Sequence, residues 1–214
     1  MLEDKKIKMV LASNSPRRQE MLKWLNIPFE IIPSTFNEEK PIGKTVLEKV
    51  EYIASQKGKD ICIQLTKRND NQSFLVISAD TIVELDGVIF GKPKSRSEAS
   101  RVLLQLSGKQ HNVITSVYLN LFNPKIEEGK ELLFSTKTEV VFDNIDMDIL
   151  NLYLDTSDSL DKAGGYGIQG MAQLFIKSID GNYSNVVGLP INQVERSISK
   201  MINSKIPWRK LIVA

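Results

Sequence analysis

Residues 7–25 read IKMVLASNSPRRQEMLKWL. The apolar run Ile7, Met9, Val10, Leu11 and Ala12 is the pattern of a buried strand, and it breaks at Ser13-Asn14-Ser15. Pro16 then opens a helix whose apolar positions are Met21, Leu22, Trp24 and Leu25. Ser15 suits the N-cap, and Pro16 suits the first helical position, where its missing N–H is not needed. Arg17 and Arg18 fall in the first turn, where the positive end of the helix dipole disfavours a cation by ~0.3–1 kcal/mol. Free backbone N–H groups, two guanidinium groups and three small polar residues around one turn make an anion site suited to phosphate. The plainer alternative is a solvated arginine pair after an ordinary cap. A strand running straight into a helix is the start of an α/β fold.

The 214-residue chain is long enough for one substantial α/β domain or two small lobes. Its 42% hydrophobic and 25% charged content is ordinary for a soluble globular protein. A formal net charge of +2 is too small to signal affinity for nucleic acid or membrane, so any basic function must be local. The lone Cys62 excludes an internal disulfide and fits a reducing compartment. MLEDKKIK lacks the apolar core of a signal peptide, and no apolar run approaches the ~18 residues of a membrane span. These features lead us to expect a cytoplasmic protein.

Beyond the first helix, Asn26 serves as a C-terminal cap, Phe29 to Ile32 reads as a strand, and Pro33 to Lys44 is a polar loop carrying Glu38-Glu39. Thr45 with Glu48 is a capping box for a helix with Val46, Leu47, Val50, Ile53 and Ala54 on its apolar stripe, running to about Leu65. Gly58 weakens that helix, and Lys67 to Ser73 is a polar connector. The run from Phe74 to Thr81 reads as a central strand covered on both faces, with Asp80 at its carboxyl end. A hairpin from Ile82 to Phe90 turns at Asp86-Gly87, and Gly91-Lys92-Pro93 ends it. A carboxylate at the end of a buried strand is costly unless paired, and ligands gather at the carboxyl ends of strands in open α/β sheets. Asp80 is therefore either functional or a turn-forming residue.

Ser95 with Glu98 is a second capping box, for a helix carrying Ala99, Val102, Leu103 and Leu106 that stops at Ser107-Gly108. His111 to Phe122 and Leu132 to Phe142 alternate like strands around Asn123-Pro124, and Asp146 caps a helix with Ile149, Leu150 and Tyr153. His111, the only histidine, reads as a structural hydrogen-bonding group. LDKAGGYGIQG, Leu160 to Gly170, packs four glycines into backbone turns, with Lys162 and Gln169 beside them. Ala172 to Ile179 reads as a strand, Asp180-Gly181-Asn182 as a turn, and Pro190 opens a last helix with Val194, Ile198, Met201 and Ile202 inward. No internal repeat is visible, and the tail from Pro207 carries no signal. No metal-binding Cys/His cluster and no Walker-type loop occurs. The remaining polar set lies in three loop regions: Ser13, Ser15, Arg17 and Arg18; Asp80, Thr81 and Lys92; Lys162 and Gln169. Basic residues around one placed carboxylate suit hydrolysis of a phosphoanhydride.

Five motifs in order, LASNSPRRQEML, SADTIV with GKP, LSGKQH, DKAGGYGIQG and NVVGLP, run from Leu11 to Pro190. Together they resemble the Maf family of nucleotide pyrophosphatases. The resemblance implies an elongated α/β fold, a mixed twisted sheet flanked by helices, related to inosine triphosphate pyrophosphatases. It implies a single domain, 1–214, of two lobes with a central cleft. It further implies hydrolysis of a nucleoside triphosphate to monophosphate and pyrophosphate with a divalent cation (Mg²⁺, Mn²⁺ or Co²⁺), usually in a homodimer. By motif, Asp80 matches the catalytic carboxylate that accepts a proton, Ser13, Arg17 and Arg18 the phosphate loop, and Lys92 the lysine before proline. Lys57, in Gln56-Lys57-Gly58, falls where the family has Glu-Lys-Ala, a looser match. Glu38 aligns with an acidic position, and Asp80 with Glu38 forms a candidate metal pair.

Arg17, Thr81 and Gln169 resemble the branch acting on dTTP and UTP; Trp, Gln and Glu stand there in the branch acting on 7-methyl-GTP. The Gln169 amide offers a donor and an acceptor, as the N3–H/O4 edge of uracil or thymine requires. The expectation is thus a hydrolase of dTTP, UTP and modified pyrimidine triphosphates, bound through Lys162 as well as the residues above. The alternative is a non-catalytic nucleotide-binding regulator of cell division. A nucleic-acid binder is disfavoured by the small net charge and the lack of interleaved aromatic residues.

Overall fold

The computed structural model describes residues 6–68 and 72–214. Parts of two sequence readings, the MLEDKKIK segment and the connector over 67–73, lie outside the described residues. Strand β1, Ile7–Leu11, leads through Ser13-Asn14-Ser15 into helix α1, Pro16–Lys23, as the opening stretch predicts. Ser15 holds the cap position, but its side chain makes no capping bond; instead its N–H donates to Ser13 Oγ at 3.2 Å. Met21 and Leu22 are buried, whereas Trp24, expected inward, is exposed because the helix is already ending there. Asn26 closes the exit in the left-handed region at φ 53°.

Strand β2 is only Glu30–Ile31, shorter than the sequence suggests. Helix α2, Val46–Thr66, starts at the expected capping box, with the Glu48 carboxylate accepting from both Lys44 N–H and Thr45 N–H. Its buried positions are Val50, Ile53, Ala54, Gly58, Ile61 and Leu65, while Leu47 faces solvent. Strand β3, Ser73–Leu85, does not stop at Asp80. Its parallel pairing with β1 ends at Leu11–Ile77, and its far end pairs antiparallel with β4, Val88–Phe90, across Asp86-Gly87. Both turn residues have positive φ, as a two-residue hairpin requires. Asp80 therefore sits between two pairing regimes within one long strand.

Helix α3, Arg96–Leu106, buries Ala99, Val102, Leu103 and Leu106. Ser95 Oγ caps Glu98 N–H, but the Glu98 carboxylate takes the Lys94 N–H, so only half of the expected box forms. Strands β5, Gln110–Asn123, and β6, Ile126–Phe142, follow, then helix α4, Met147–Asp155, capped by Asp146. The glycine-rich stretch makes a 3-10 turn at Ala163–Gly165, with Gly164 and Gly165 at φ 68° and 71°. The strand expected from Ala172 begins later: Met171–Phe175 is a 3-10 turn that buries Ala172 and Phe175, and β7 is Ile176–Asp180. Helix α5, Tyr183–Val187, and helix α6, Ile191–Ile202, complete the helices, α6 with Val194, Ile198, Met201 and Ile202 inward. The tail is structured: Trp208 is buried and β8, Ile212–Val213, pairs parallel with β1.

Among the described residues the strands form one mixed eight-stranded sheet in the order β2-β1-β3-β5-β6-β7, with β4 on β3 and β8 on β1. No described helix is long and apolar enough to cross a membrane. The chain divides into two compact units. Unit 1 is drawn from residues up to Asp80, Ser116–Ser135 and Gly188–Ala214; its core includes Val10, Ala12, Ile61, Leu65, Phe74 and Val76. Unit 2 comprises Thr81–Thr115 and Thr136–Val187, with a core around Val83, Leu103, Leu106, Phe142, Tyr153 and Phe175.

Candidate active site

In unit 1 the β1–α1 turn carries Ser13, Arg17 and Arg18. Arg18 is half-buried and tethered: Nε donates to the Gly188 carbonyl at 2.9 Å and Nη1 to Ser13 Oγ at 3.4 Å. Burial lowers the guanidinium from its ordinary value; the negative charges of Asp80 and Glu38 oppose that, and Arg17 adds to it. An arginine stays charged under such conditions, so the effect registers a cation taken partly out of water and compensated by two acids.

Helix α2 brings Lys57 to the same place. Ser78 Oγ donates to the Ala54 carbonyl at 2.7 Å, tying β3 to the helix one turn before Lys57. Gly58 makes that approach possible, because a Cβ there would lie 2.2 Å from Tyr118 Cδ1 and 2.6 Å from Ser78 Oγ. The glycine read as a weak point of the helix is the contact that seats it. Lys57 Nζ then lies 2.8 Å from Asp80 Oδ1 and 2.8 Å from Glu38 Oε1. Asp80 is buried, so its charge requires this partner; Glu38 is half exposed, and its share is the weaker one.

Two carboxylates converging on one cation have the hard-oxygen chemistry of a Mg²⁺ or Mn²⁺ site. Among the described residues no group of three or more His, Cys, Asp or Glu could hold a metal ion. An ion at Asp80 and Glu38 therefore fits only with water and phosphate oxygens completing its shell.

Unit 2 holds the other candidate residues. Thr81 Oγ1 and Thr115 Oγ1 are 2.9 Å apart, and Thr115 donates on to the Asn185 carbonyl at 3.0 Å. The Asn185 side chain, fully buried, ties Val113 O to Thr138 Oγ1. Lys92 and Gln169 are exposed, and their loops are joined, since Gly164 N–H donates to the Gly91 carbonyl at 3.0 Å. Lys162 is buried and bonded to Asp158 and Asp161. His111 is a packing residue: Nε2 meets Tyr166 Oη at 2.7 Å, and the ring lies edge-on to Phe142. Burial pulls its pKa down to about 4, against a smaller opposing effect of the Lys109 backbone.

The sequence model of the Maf-like proteins matches residues 8–201. The chain belongs to the Maf-like family. Among curated Maf-like relatives, one from Fusobacterium nucleatum is 42% identical over 196 residues, covering 90% of this chain and 95% of its own. Another, from Thermosipho africanus, is 40% identical over 190 residues, covering 88% and 90%. A third, from Ruminiclostridium cellulolyticum, is 39% identical over 199 residues, covering 92% and 97%. Each of the three is named dTTP/UTP pyrophosphatase.

Of the Maf-like chain's expected site residues, the structure brings Ser13 to Arg18, and Lys57 to Asp80 and Glu38. Arg18 lies within the electrostatic reach of both acids. It gives Thr81 a partner in Thr115 and Lys162 partners in its own loop. Sequence reasoning missed Thr115, Asn185 and Asp158. Asn185 opens the quoted NVVGLP motif, and that position was the one available signal.

Proposed function

We propose that this protein hydrolyses dTTP and UTP to the monophosphate and pyrophosphate. The observation that carries the reading is the grouping at Asp80 in unit 1, a buried carboxylate held by Lys57 and facing the charge of Arg18. The near-full-length relatives named for that activity support the substrate. In this reading Ser13, Arg17, Arg18 and the N–H groups opening α1 take the phosphate oxygens, and Asp80 accepts the proton of the attacking water. Water adds at the α-phosphorus and pyrophosphate leaves. Such a reaction needs charge compensation on the non-bridging oxygens, which the guanidinium groups and the Lys57 ammonium provide. Asp80 and Glu38 would hold a divalent cation, Mg²⁺, Mn²⁺ or Co²⁺, which when bound would add positive charge beside those oxygens. Gln169 reads the pyrimidine edge, with Thr81 and Lys92 as further substrate contacts. A homodimer in the cytoplasm completes the proposal.

The test is pyrophosphate release from the wild type and Asp80→Asn across the ordinary and modified nucleoside triphosphates, with and without each cation. Loss of turnover by at least about a hundredfold is expected in the variant, the scale of general acid–base catalysis, with its circular dichroism and melting profile retained. Tight nucleotide binding by the wild type without turnover under any cation would instead support the regulator.

A further inference from the structure

The Lys162 ammonium has three N–H donors, and its own loop supplies three acceptors. These are the Asp158 carbonyl at 2.6 Å, Asp161 Oδ1 at 2.6 Å and Asp158 Oδ1. No donor remains for a phosphate. The aliphatic stem of Lys162 lies across Gly167, where a Cβ would meet Cε at 2.4 Å and Cδ at 2.6 Å. Gly170 is pressed against the same assembly, since a Cβ there would lie 3.3 Å from Asp158 Oδ2. Gly170 N–H donates to the Gly167 carbonyl at 3.2 Å, closing a four-residue turn. Within that turn Ile168 is buried and Gln169 is exposed. Both ends of the turn carrying Gln169 are thus fitted to a lysine–aspartate pair.

We infer that Lys162 is a positioning residue and not a substrate contact: with Asp158 and Asp161 it clamps the Gly167–Gly170 turn and sets the direction of the Gln169 amide. The inference rests on the reading of Gln169 as the group that recognises the pyrimidine edge. Two carboxylates meeting one buried ammonium hold the loop closed, and removing the ammonium leaves them to repel each other.

The experiment uses the full chain with Lys162→Met, which keeps the stem over Gly167 and removes the charge. Hydrogen exchange is followed at Gly170, and UTP and GTP kinetics are measured with Mn²⁺. The expected result is lost protection at Gly170 and a rise of about tenfold in KM for UTP at little-changed kcat, the scale of one hydrogen bond's worth of lost positioning. The preference for UTP over GTP should shrink with it. Asp158→Asn with Asp161→Asn in the Lys162→Met background should restore part of the protection, because the repulsion is gone. Gly167→Ala, which displaces the stem while keeping the ammonium, should repeat the loss of preference. An equal fall in kcat for both nucleotides with Gly170 still protected would make Lys162 a phosphate contact and overturn the inference, as would unchanged exchange and kinetics. A wild type inactive on UTP and dTTP would refute the proposed function, and the exchange at Gly170 would still decide the clamp.

Discussion

Gly58→Ala is expected to destabilise the protein, although alanine is the better helix former. In an exposed helix interior the exchange would contribute roughly 1 kcal/mol of stability. Here the new methyl would sit 2.2 Å from Tyr118 Cδ1, 2.7 Å from Cε1 and 2.6 Å from Ser78 Oγ. Carbon atoms rest at about 3.5–4.0 Å, so the ring would have to retreat by more than an ångström. Tyr118 cannot swing out, because it is 2% exposed and its hydroxyl accepts from Asn120 Nδ2 at 3.0 Å. Ser78 is held by its bond to the Ala54 carbonyl. Overpacking typically costs about 1–3 kcal/mol, and this geometry belongs at the upper end. Subtracting the helix gain leaves a loss of roughly 2 kcal/mol, or a Tm lowered by about 4–8 °C for a chain of this size. Calorimetry measures the shift, and a pyrophosphate assay on the folded variant measures whether Lys57, the preceding residue, still reaches Asp80. A variant that melts at or above the wild-type temperature would refute the argument that Gly58 seats α2 on β3 and β5.

Between pH 6.5 and 4 the buried, neutral His111 should cost stability as pH falls, because the unfolded chain takes up a proton that the folded chain refuses. The loss is of order 3 kcal/mol across the window, and His111→Gln should flatten the slope in denaturant titrations at stepped pH. Thr115→Val keeps the shape of the side chain but leaves the buried Asn185 carbonyl and the Thr81 hydroxyl without this partner. It should lower the unfolding free energy by about 1–3 kcal/mol, and nucleotide KM should rise if Thr81 contacts substrate; an unchanged melting curve would contradict the geometry.

The elements whose cause is local were legible in the sequence. The strand–turn–helix at Ile7–Lys23, the Thr45–Glu48 capping box and the inward stripe of α6 are all where periodicity and capping put them. What failed depends on distant partners or on where an element stops. The hairpin through Asp86-Gly87 is legible, but not that its first strand runs on unbroken from Ser73 through Asp80 to Leu85. Gly58 looked like a defect, since nothing in the helix announces that Tyr118 will lie against it. Trp24 reads as core because the cap at Asn26 places the helix end a little late, whereas the helix stops at Lys23. In the candidate site, the arginine turn could be read from the helix start itself. Lys57 enters only through the family resemblance, and its pairing with Asp80, which joins a helix to a strand, is visible only in the fold. Lys162 reads as a substrate-binding residue in the sequence, where nothing shows that the neighbouring Asp158 and Asp161 take up its ammonium.

Strand β1 has β3 along one side, so its other side is shared: Val10 and Leu11 pair with β2, and Ile7 and Lys8 with β8. These two short segments come from very different points along the polypeptide. On the ribosome, the seam beside Ile7 therefore stays open until Ile212 and Val213 emerge, and an apolar strand with unmet N–H and C=O groups is available to other chains meanwhile. Such late zipping by Ile212 and Val213, next to the buried Trp208, makes self-association during synthesis a hazard of this architecture that the folded molecule no longer displays.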